Sequence, residues 1–518
     1  MRSEKDALRP SLPRQKLFSG STLPMRFVIH GGPSLNRTLE TKFITRYNPN
    51  PAPLKAVFAE VFDRGCKTVI EESDYVDTDF LSEYENFYAR SFEKIPKYCK
   101  RLHFFSTEVK ETDLIQLHEE QFKKAYIGFC VLRPIDVGKV GRTILSAPSS
   151  NHDFFLLCKA PFNSHIMGAE FEVQAMPFMQ QDTSVGACAH ACMWMTALYM
   201  HKKISLPKFL PFQLTEFAAR AVSYGSMMPN RKGLEIHQVQ EALRLAGMQC
   251  VTSEDFSKLK SDTIAEADSR AQKIKQFVYP YMESELPVIL THKYSSGVGH
   301  AVVVVGHNFS RNLNPRIFKT PSGIEYLSNV SWVPNFIVNN DGRGPYLTLP
   351  TDSMDPKEPS LKNLAFAIAL LPPEVTNFAE DVESNVIEFM SMWDRNVSTK
   401  DLVFRTFMRA SNRFLMDFND RDIPQELKDK YRQMPMPKYI WITEISNKDY
   451  INQPDSKDRK VLGEFITDTT ANPYGREKAF LSMRFLKNLV IHRKDDEGQM
   501  EPFLLSSSAQ YTGLVRIN

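Results

Sequence analysis

Hydrophobic positions change their spacing several times along the chain, and the changes predict its elements. Pro53 to Gly65 carries apolar groups at helical spacing, Cys66 to Ile70 reads as a strand, and Asp77 to Tyr98 bears aromatics at 80, 84, 87, 88 and 92 on a helix-like period. Ala125 to Leu132, ahead of Arg133-Pro, and Thr143 to Ser146 read as further strands. Phe154 to Lys159 and Phe171 to Pro177 are β-rich, and Thr252 to Met282 is polar and helical. Ala301 to Val305 is a short β-branched run bounded by glycines at 297, 299 and 306, and Phe336 to Asp341 is a second such strand ending in a Gly-Arg-Gly-Pro turn. Beyond Leu371, Val382, Val386, Phe389, Met390 and Trp393 recur at three and four residues and predict an amphipathic helix. Ser398-x-x-Asp401 reads as a capping box opening a second helix to about Phe418. After a linker at Gln433 to Pro437, the segments Lys438 to Ile445, Val461 to Asp468 and Phe485 to His492 predict an antiparallel sheet.

These shifts predict an α+β protein in four parts: a disordered tail over 1–24, an N-terminal α+β accessory domain over 25–164, a core over 165–372, and a C-terminal α+β region over 373–518. That last region reads as a helical pair followed by a β-rich segment. The connection from Phe309 to Trp332 is long for a compact domain and is expected to act as a lid or substrate-recognition element. With 42% hydrophobic and 24% charged residues among 518, the composition excludes wholesale disorder. A net charge of +3, with no basic block interleaved with aromatics, gives no reason to expect nucleic acid. The seven cysteines, at 66, 99, 130, 158, 188, 192 and 250, are sparse and irregular, which predicts free thiols in a reducing, cytoplasmic setting. No apolar run approaches the roughly 18 to 20 residues that span a bilayer, and residues 1–24 hold no stretch resembling a secretory signal. The pattern leaves the oligomeric state open.

Chemistry concentrates between Gln180 and Met200. Gln180, Gln181, Asp182, Thr183, Ser184 and Gly186 are turn and cap formers, whereas residues from Ala187 onward favour a helix, which puts Cys188 in its first turn. The unpaired N–H groups and positive dipole end there favour thiolate over thiol. Cys192, one turn on, is expected deeper, as a small buried hydrophobe. Gln181 is close enough upstream to donate its amide to an oxyanion beside the sulfur, together with the Cys188 N–H, and Gln180 is the fallback. His190 is not the base, because two residues along a helix turn the side chain by roughly 200°. His300, at the head of the Ala301 strand, is the expected base, with His307 at its far end the weaker candidate. Asp341, with Asn340 next, is expected to orient the imidazole. Use of Cys188, His190, Cys192, His300 and His307 as metal ligands is disfavoured, since Cys-x3-Cys on one helix lacks the paired short spacings of structural sites. No metal or cofactor is expected. Arg133 and Arg142 are read as solvated or salt-bridged.

The run Gln-x6-Cys-Ala-x-Ala-x3-Met from Gln181 to Met195, followed by Gly-His-Ala-Val-Val-Val-Val-Gly from Gly299 and by Val-Asn-Asn-Asp before Gly-Pro-Tyr, resembles the papain-like cysteine peptidases of the bacteriocin-processing-peptidase type. The likeness spans roughly Phe171 to Leu371. It implies a papain-like cysteine peptidase core, with Cys188 as nucleophile, His300 as base, Asp341 as orienter, Gln181 as oxyanion donor and a peptide or isopeptide substrate. The chain departs from that pattern in having Ala189 after the cysteine and one extra residue between glutamine and cysteine. The same residues are also compatible with two other functions: acyl transfer to an amine or thiol, and a catalytically idle papain-like scaffold that binds partners.

Overall fold

The computed structural model of the chain describes residues 26–44, 48–148, 154–182, 188–220, 233–260, 263–293, 299–353, 358–393, 398–455, 458–472, 479–492, 500–506 and 510–512. The expected tail over 1–24 and the expected helix start at Ala187 lie outside these residues.

In the N-terminal domain, strands β1 (Phe27–Gly31), β2 (Thr68–Tyr75), β3 (Cys99–Phe105), β4 (Tyr126–Leu132) and β5 (Val140–Leu145) form an antiparallel sheet in sequence order. Helices α1 (Leu35–Phe43), α2 (Ala52–Asp63), α3 (Thr78–Asn86) and α4 (Glu120–Ala125) connect the strands. The α3 helix opens at Asp77, whose carboxylate accepts from the Asp79 and Phe80 N–H groups. It is shorter than the aromatic spacing predicts. The chain leaves the helix after Asn86 and makes a brief 3-10 turn at Tyr88–Arg90, which lets the Tyr88 hydroxyl reach the buried Asp182 carboxylate, while Phe92 stays fully exposed.

The central layer begins with β6 (Phe154–Leu156) and the hairpin β7 (Ala160–Ile166) and β8 (Ala169–Ala175). It continues through α5 (Cys188–Ile204), α6 (Pro211–Arg220), α7 (Ile236–Leu245), β9 (Gln249–Thr252), α8 (Ile264–Glu283), β10 (Val288–Lys293) and β11 (Gly299–Asn308). Two strands, β12 (Ile317–Lys319) and β13 (Glu325–Ser328), then leave this layer before β14 (Phe336–Asn340), β15 (Gly344–Leu349) and β16 (Leu364–Leu371) return to it. The sheet runs β15-β14-β11-β10-β16-β9, with β6 beside β11. Every α5 residue from Ala189 to Met200 is buried; a helix apolar on all sides belongs inside a molecule, and this one crosses β11.

The C-terminal region holds α9 (Ala379–Trp393), β17 (Leu402–Ala410), α10 (Ser411–Asn419), α11 (Gln425–Gln433), β18 (Tyr439–Asn447), α12 (Lys448–Ile451), β19 (Lys460–Val461), β20 (Gly463–Asp468), β21 (Phe480–Phe485), β22 (Asn488–His492), β23 (Met500–Leu504) and β24 (Tyr511–Thr512). Its main sheet is ordered β12-β13-β17-β18-β20-β21-β22-β23. Here the helix expected to open at the Ser398-x-x-Asp401 box and run to about Phe418 is corrected. Ser398 to Asp401 makes only a short 3-10 turn, and Leu402 to Met408 is buried on both faces as a strand paired with β18. A Leu-Val-Phe-Arg-Thr-Phe-Met run is β-branched and aromatic, so partners on either side outweigh the local cap signal. Only Ser411 to Asn419 is helical.

Expected boundaries also shift. Residues 154–156, placed by pattern in the N-terminal domain, pair with β11, and the Phe309 to Trp332 connection is a seam rather than a lid. It pairs β13 in parallel with β17, its Trp332 Nε1 donates to Asn452 Oδ1 at 2.9 Å, and Glu325 O accepts from Thr399 Oγ1 at 2.7 Å.

Candidate active site

Cys188 is the first described residue of α5 and is half-buried; His300 is the second residue of β11, and Asn340 ends the neighbouring strand β14. Because α5 crosses β11 and β14 flanks it, three segments far apart in sequence deliver these side chains to one place. His300 Nε2 lies 3.0 Å from Asn340 Oδ1, and the Gly342 N–H donates to that same oxygen at 3.0 Å. A backbone N–H can only donate, so Asn340 must turn its oxygen, not its NH2, toward both groups. His300 Nε2 therefore carries a proton. Nδ1 is the ring nitrogen on the side away from Asn340, and the Cys188 side chain lies close enough to the imidazole to favour its charged form.

Asp341, the residue expected to orient the imidazole, stands behind this contact. It is fully enclosed, its Oδ1 is 3.7 Å from His300 Nε2, and the hydrogen bond belongs to Asn340 instead. Adjacent residues at a strand end point to opposite faces, so only one of the pair can meet the ring edge-on. Burial raises the Asp341 carboxyl pKa, and the His300 charge partly opposes this. The Gly342, Asp341 and Gln181 amides also face the carboxylate, yet none among the described residues is aligned for a hydrogen bond. For His300 the balance runs the other way. Burial pushes the imidazolium down, but the Cys188 hydrogen bond and the Asp341 charge outweigh it and hold the pKa at about 9. A histidine raised above its ordinary 6.5 stabilises the fold fully below that pH and loses the contribution as pH climbs through about 9, so the imidazolium persists at neutrality.

Asp341→Asn is accordingly expected to lower the His300 midpoint without unfolding the protein, because it replaces an enclosed charge by a neutral isostere. Titration of the His300 Cε1–H resonance by NMR checks this; an unmoved midpoint would mean that the carboxylate does not sustain the imidazolium.

The other sequence candidates fall into distinct settings. Gln181 is half-buried, with its N–H beside Asp341, at the start of the segment leading to Cys188. Gln180 is committed elsewhere: its Oε1 accepts from Val140 N at 3.1 Å and its Nε2 donates to Asn50 O at 3.2 Å. Cys192 is completely enclosed, and burial drives its thiol pKa well up, with the Asp341 and Cys188 charges adding to the effect. His190 is buried. His307 Nε2 meets Glu283 Oε1 at 2.6 Å, and Arg405 Nε donates to the other oxygen of that carboxylate at 3.0 Å, so His307 belongs to a buried ionic cluster.

Arg142 reaches Asp77 and Asp79 at 2.9 and 2.8 Å. Arg133 is enclosed, donating through Nη2 to Gln180 O at 2.6 Å, through Nε to Gly138 O at 2.6 Å and through Nη1 to Glu83 at 3.2 Å. Gly138, at φ +78°, passes so near the loop that a Cβ would stand 2.5 Å from the Gln181 carbonyl. Pattern reading misses His292. It pairs across β10 and β11 with His300, and burial together with the His300 charge holds its pKa down at about 3, so it stays neutral. Only the strand register reveals it.

A groove of about 590 Å³ opens beside the site, lined by Asn50, Asn340, Gly342, Arg343, Leu347 and Leu349 among others. Among the described residues no group of three or more His, Cys, Asp or Glu side chains is arranged to hold a metal ion, and no helix is long and apolar enough to cross a membrane. Neither a scan against models of known protein families nor a search of curated proteins finds a match for the chain.

Proposed function

We propose that the protein is a cysteine peptidase-like hydrolase with a papain-like core, acting on peptide or isopeptide bonds. The observation that carries this reading is the convergence of Cys188, His300 and Asn340, with the Gly342 N–H fixing which atom of the asparagine faces the ring. A helix whose described part opens at the cysteine and packs on an antiparallel sheet bearing the histidine also supports it.

In this mechanism His300, as imidazolium, holds at Nδ1 the proton that Cys188 has given up, while Asn340 accepts from Nε2–H and so keeps the ring in place. The sulfur attacks the substrate carbonyl, and the Cys188 N–H with the Gln181 side-chain amide stabilises the oxyanion. The His300 proton passes to the leaving amine. Water, deprotonated by the same imidazole, then attacks the thioester; the acid departs and the sulfur is restored. Asp341 supplies charge behind the ring, and the groove beside Asn340 offers room for the substrate chain.

Alkylation by iodoacetamide, resolved site by site with mass spectrometry, tests the pair itself. At about pH 6 an ordinary thiol with pKa near 8.5 is ionised to well under one part in a hundred, so Cys188 is expected to react about 10²-fold faster in the wild type than in His300→Ala. Equal rates would mean that His300 does not hold the thiol proton.

A further inference from the structure

Two segments that flank the reacting groups, Gln180 to Asp182 ahead of Cys188 and Asn340 to Gly342 beside His300, are joined through a residue of the N-terminal domain. Asn50 lies just before α2. Its carbonyl accepts from Gln180 Nε2 at 3.2 Å, and its Nδ2 donates to the Gly342 carbonyl at 2.9 Å, a contact between residues 292 apart in sequence. Its Oδ1 accepts from the Ala52 N–H at 3.3 Å, which sets the amide so that the NH2 faces Gly342. Gln180 is anchored in turn, since its Oε1 accepts from Val140 N and its carbonyl from the enclosed Arg133.

Gly342 is where this matters. Without a Cβ, its two flanking peptide planes are the least restrained in the turn. Asn340 Oδ1 holds one plane by accepting from the Gly342 N–H, and Asn50 holds the other through the Gly342 carbonyl. The Asn340 oxygen that receives the Gly342 N–H is the one that receives His300 Nε2–H. Hydrogen bonds therefore run without a gap from Gln180 through Asn50, Gly342 and Asn340 to His300.

We propose that Asn50 is a positioning residue for the Cys188–His300 pair, and that the N-terminal domain is thereby part of the active site. The proposal rests on the reading of Cys188 and His300 as the reacting pair. Asn50 touches neither; it acts through Gly342 and Asn340.

The test uses the full chain and iodoacetamide, comparing the Cys188 alkylation rate at about pH 6, where reactivity depends on the imidazole, with that at about pH 10, where any accessible thiol is ionised. Asn50→Ser keeps a hydroxyl to accept from Ala52 N–H and the carbonyl that meets Gln180, but is too short to reach Gly342. It is expected to lower the ratio of the two rates by about tenfold, within the range that a misplacement of about 1 Å costs. Asn50→Asp keeps the length, sets a carboxylate oxygen against the Gly342 carbonyl, and is expected to lower the ratio further; either folded variant suffices. A role confined to stability predicts a lower melting temperature with an unchanged ratio, and that result in both variants overturns the proposal while leaving the reacting pair intact. A wild-type ratio no higher than that of His300→Ala overturns the reacting pair and the proposal with it.

Discussion

Replacing Cys188 by alanine is expected to abolish amide hydrolysis, a fall of at least about 10⁴-fold, because every covalent step passes through that sulfur. Among the described residues no neighbouring thiol can substitute for it. Cys192 is the neighbouring thiol, but it is fully enclosed and its pKa is driven well up, so it is neither accessible nor ionised at working pH. Removing His300 is expected to cost less, about 10²- to 10⁴-fold, since a helix N-terminus still activates the sulfur somewhat. The two losses should not add. Groups that act as one unit give a double variant about as slow as the worse single one, and Cys188→Ala/His300→Ala measured beside each single variant checks this. A double variant slower by the product of the two effects would mean that the residues act separately.

The second large effect is on stability. Within the C-terminal sheet, Glu464 and Arg484 are both completely enclosed on adjacent strands β20 and β21. Arg484 grips the carboxylate with Nε, at 2.7 Å, and with Nη2, while the Tyr431 and Tyr511 hydroxyls donate to its two oxygens, the latter at 2.9 Å. Every lone pair is used, which is the condition under which a buried pair is tolerated. Glu464→Ala removes the carboxylate that Arg484 grips from two sides and leaves two tyrosine hydroxyls without their acceptor. The expected cost is about 3 to 5 kcal/mol, read from the denaturant midpoint of the full chain. Glu464→Gln keeps the shape and one acceptor and should fall between. A loss under about 1 kcal/mol for the alanine variant would mean that water enters and rescues the arginine.

Much of the fold is legible in the hydrophobic spacing, and the exceptions share a cause. Pro53 to Gly65 and Val382 to Trp393 form helices near the limits their periods predict, because one apolar stripe on each meets a sheet. Leu402 to Met408 is instead decided by neighbours on either side: β18 and β13 lie far off in sequence, and their pairing overrides a capping box that is purely local. The same holds at the site. Cys188 and His300 each carry a local signature, a polar loop entering a helix and a glycine-flanked strand head, and the structure brings the two together. Asn340 and Asp341 carry no such distinction. Which of them meets the imidazole depends on β14 register, and the pairing of β11 with β14 slips between Val304 and Gly306. Asn50 has no sequence signal at all, for an asparagine before a helix is an ordinary cap, and its contact with Gly342 exists only once two domains have packed.

The reading of this protein as a cysteine hydrolase stands most directly on one measurement: incubation of the wild type and of Cys188→Ala with an unbiased peptide library, followed by mass spectrometric identification of newly formed N-termini. The account predicts new termini, clustered in sequence context, in the wild-type digest alone. Identical spectra from the two proteins would contradict it.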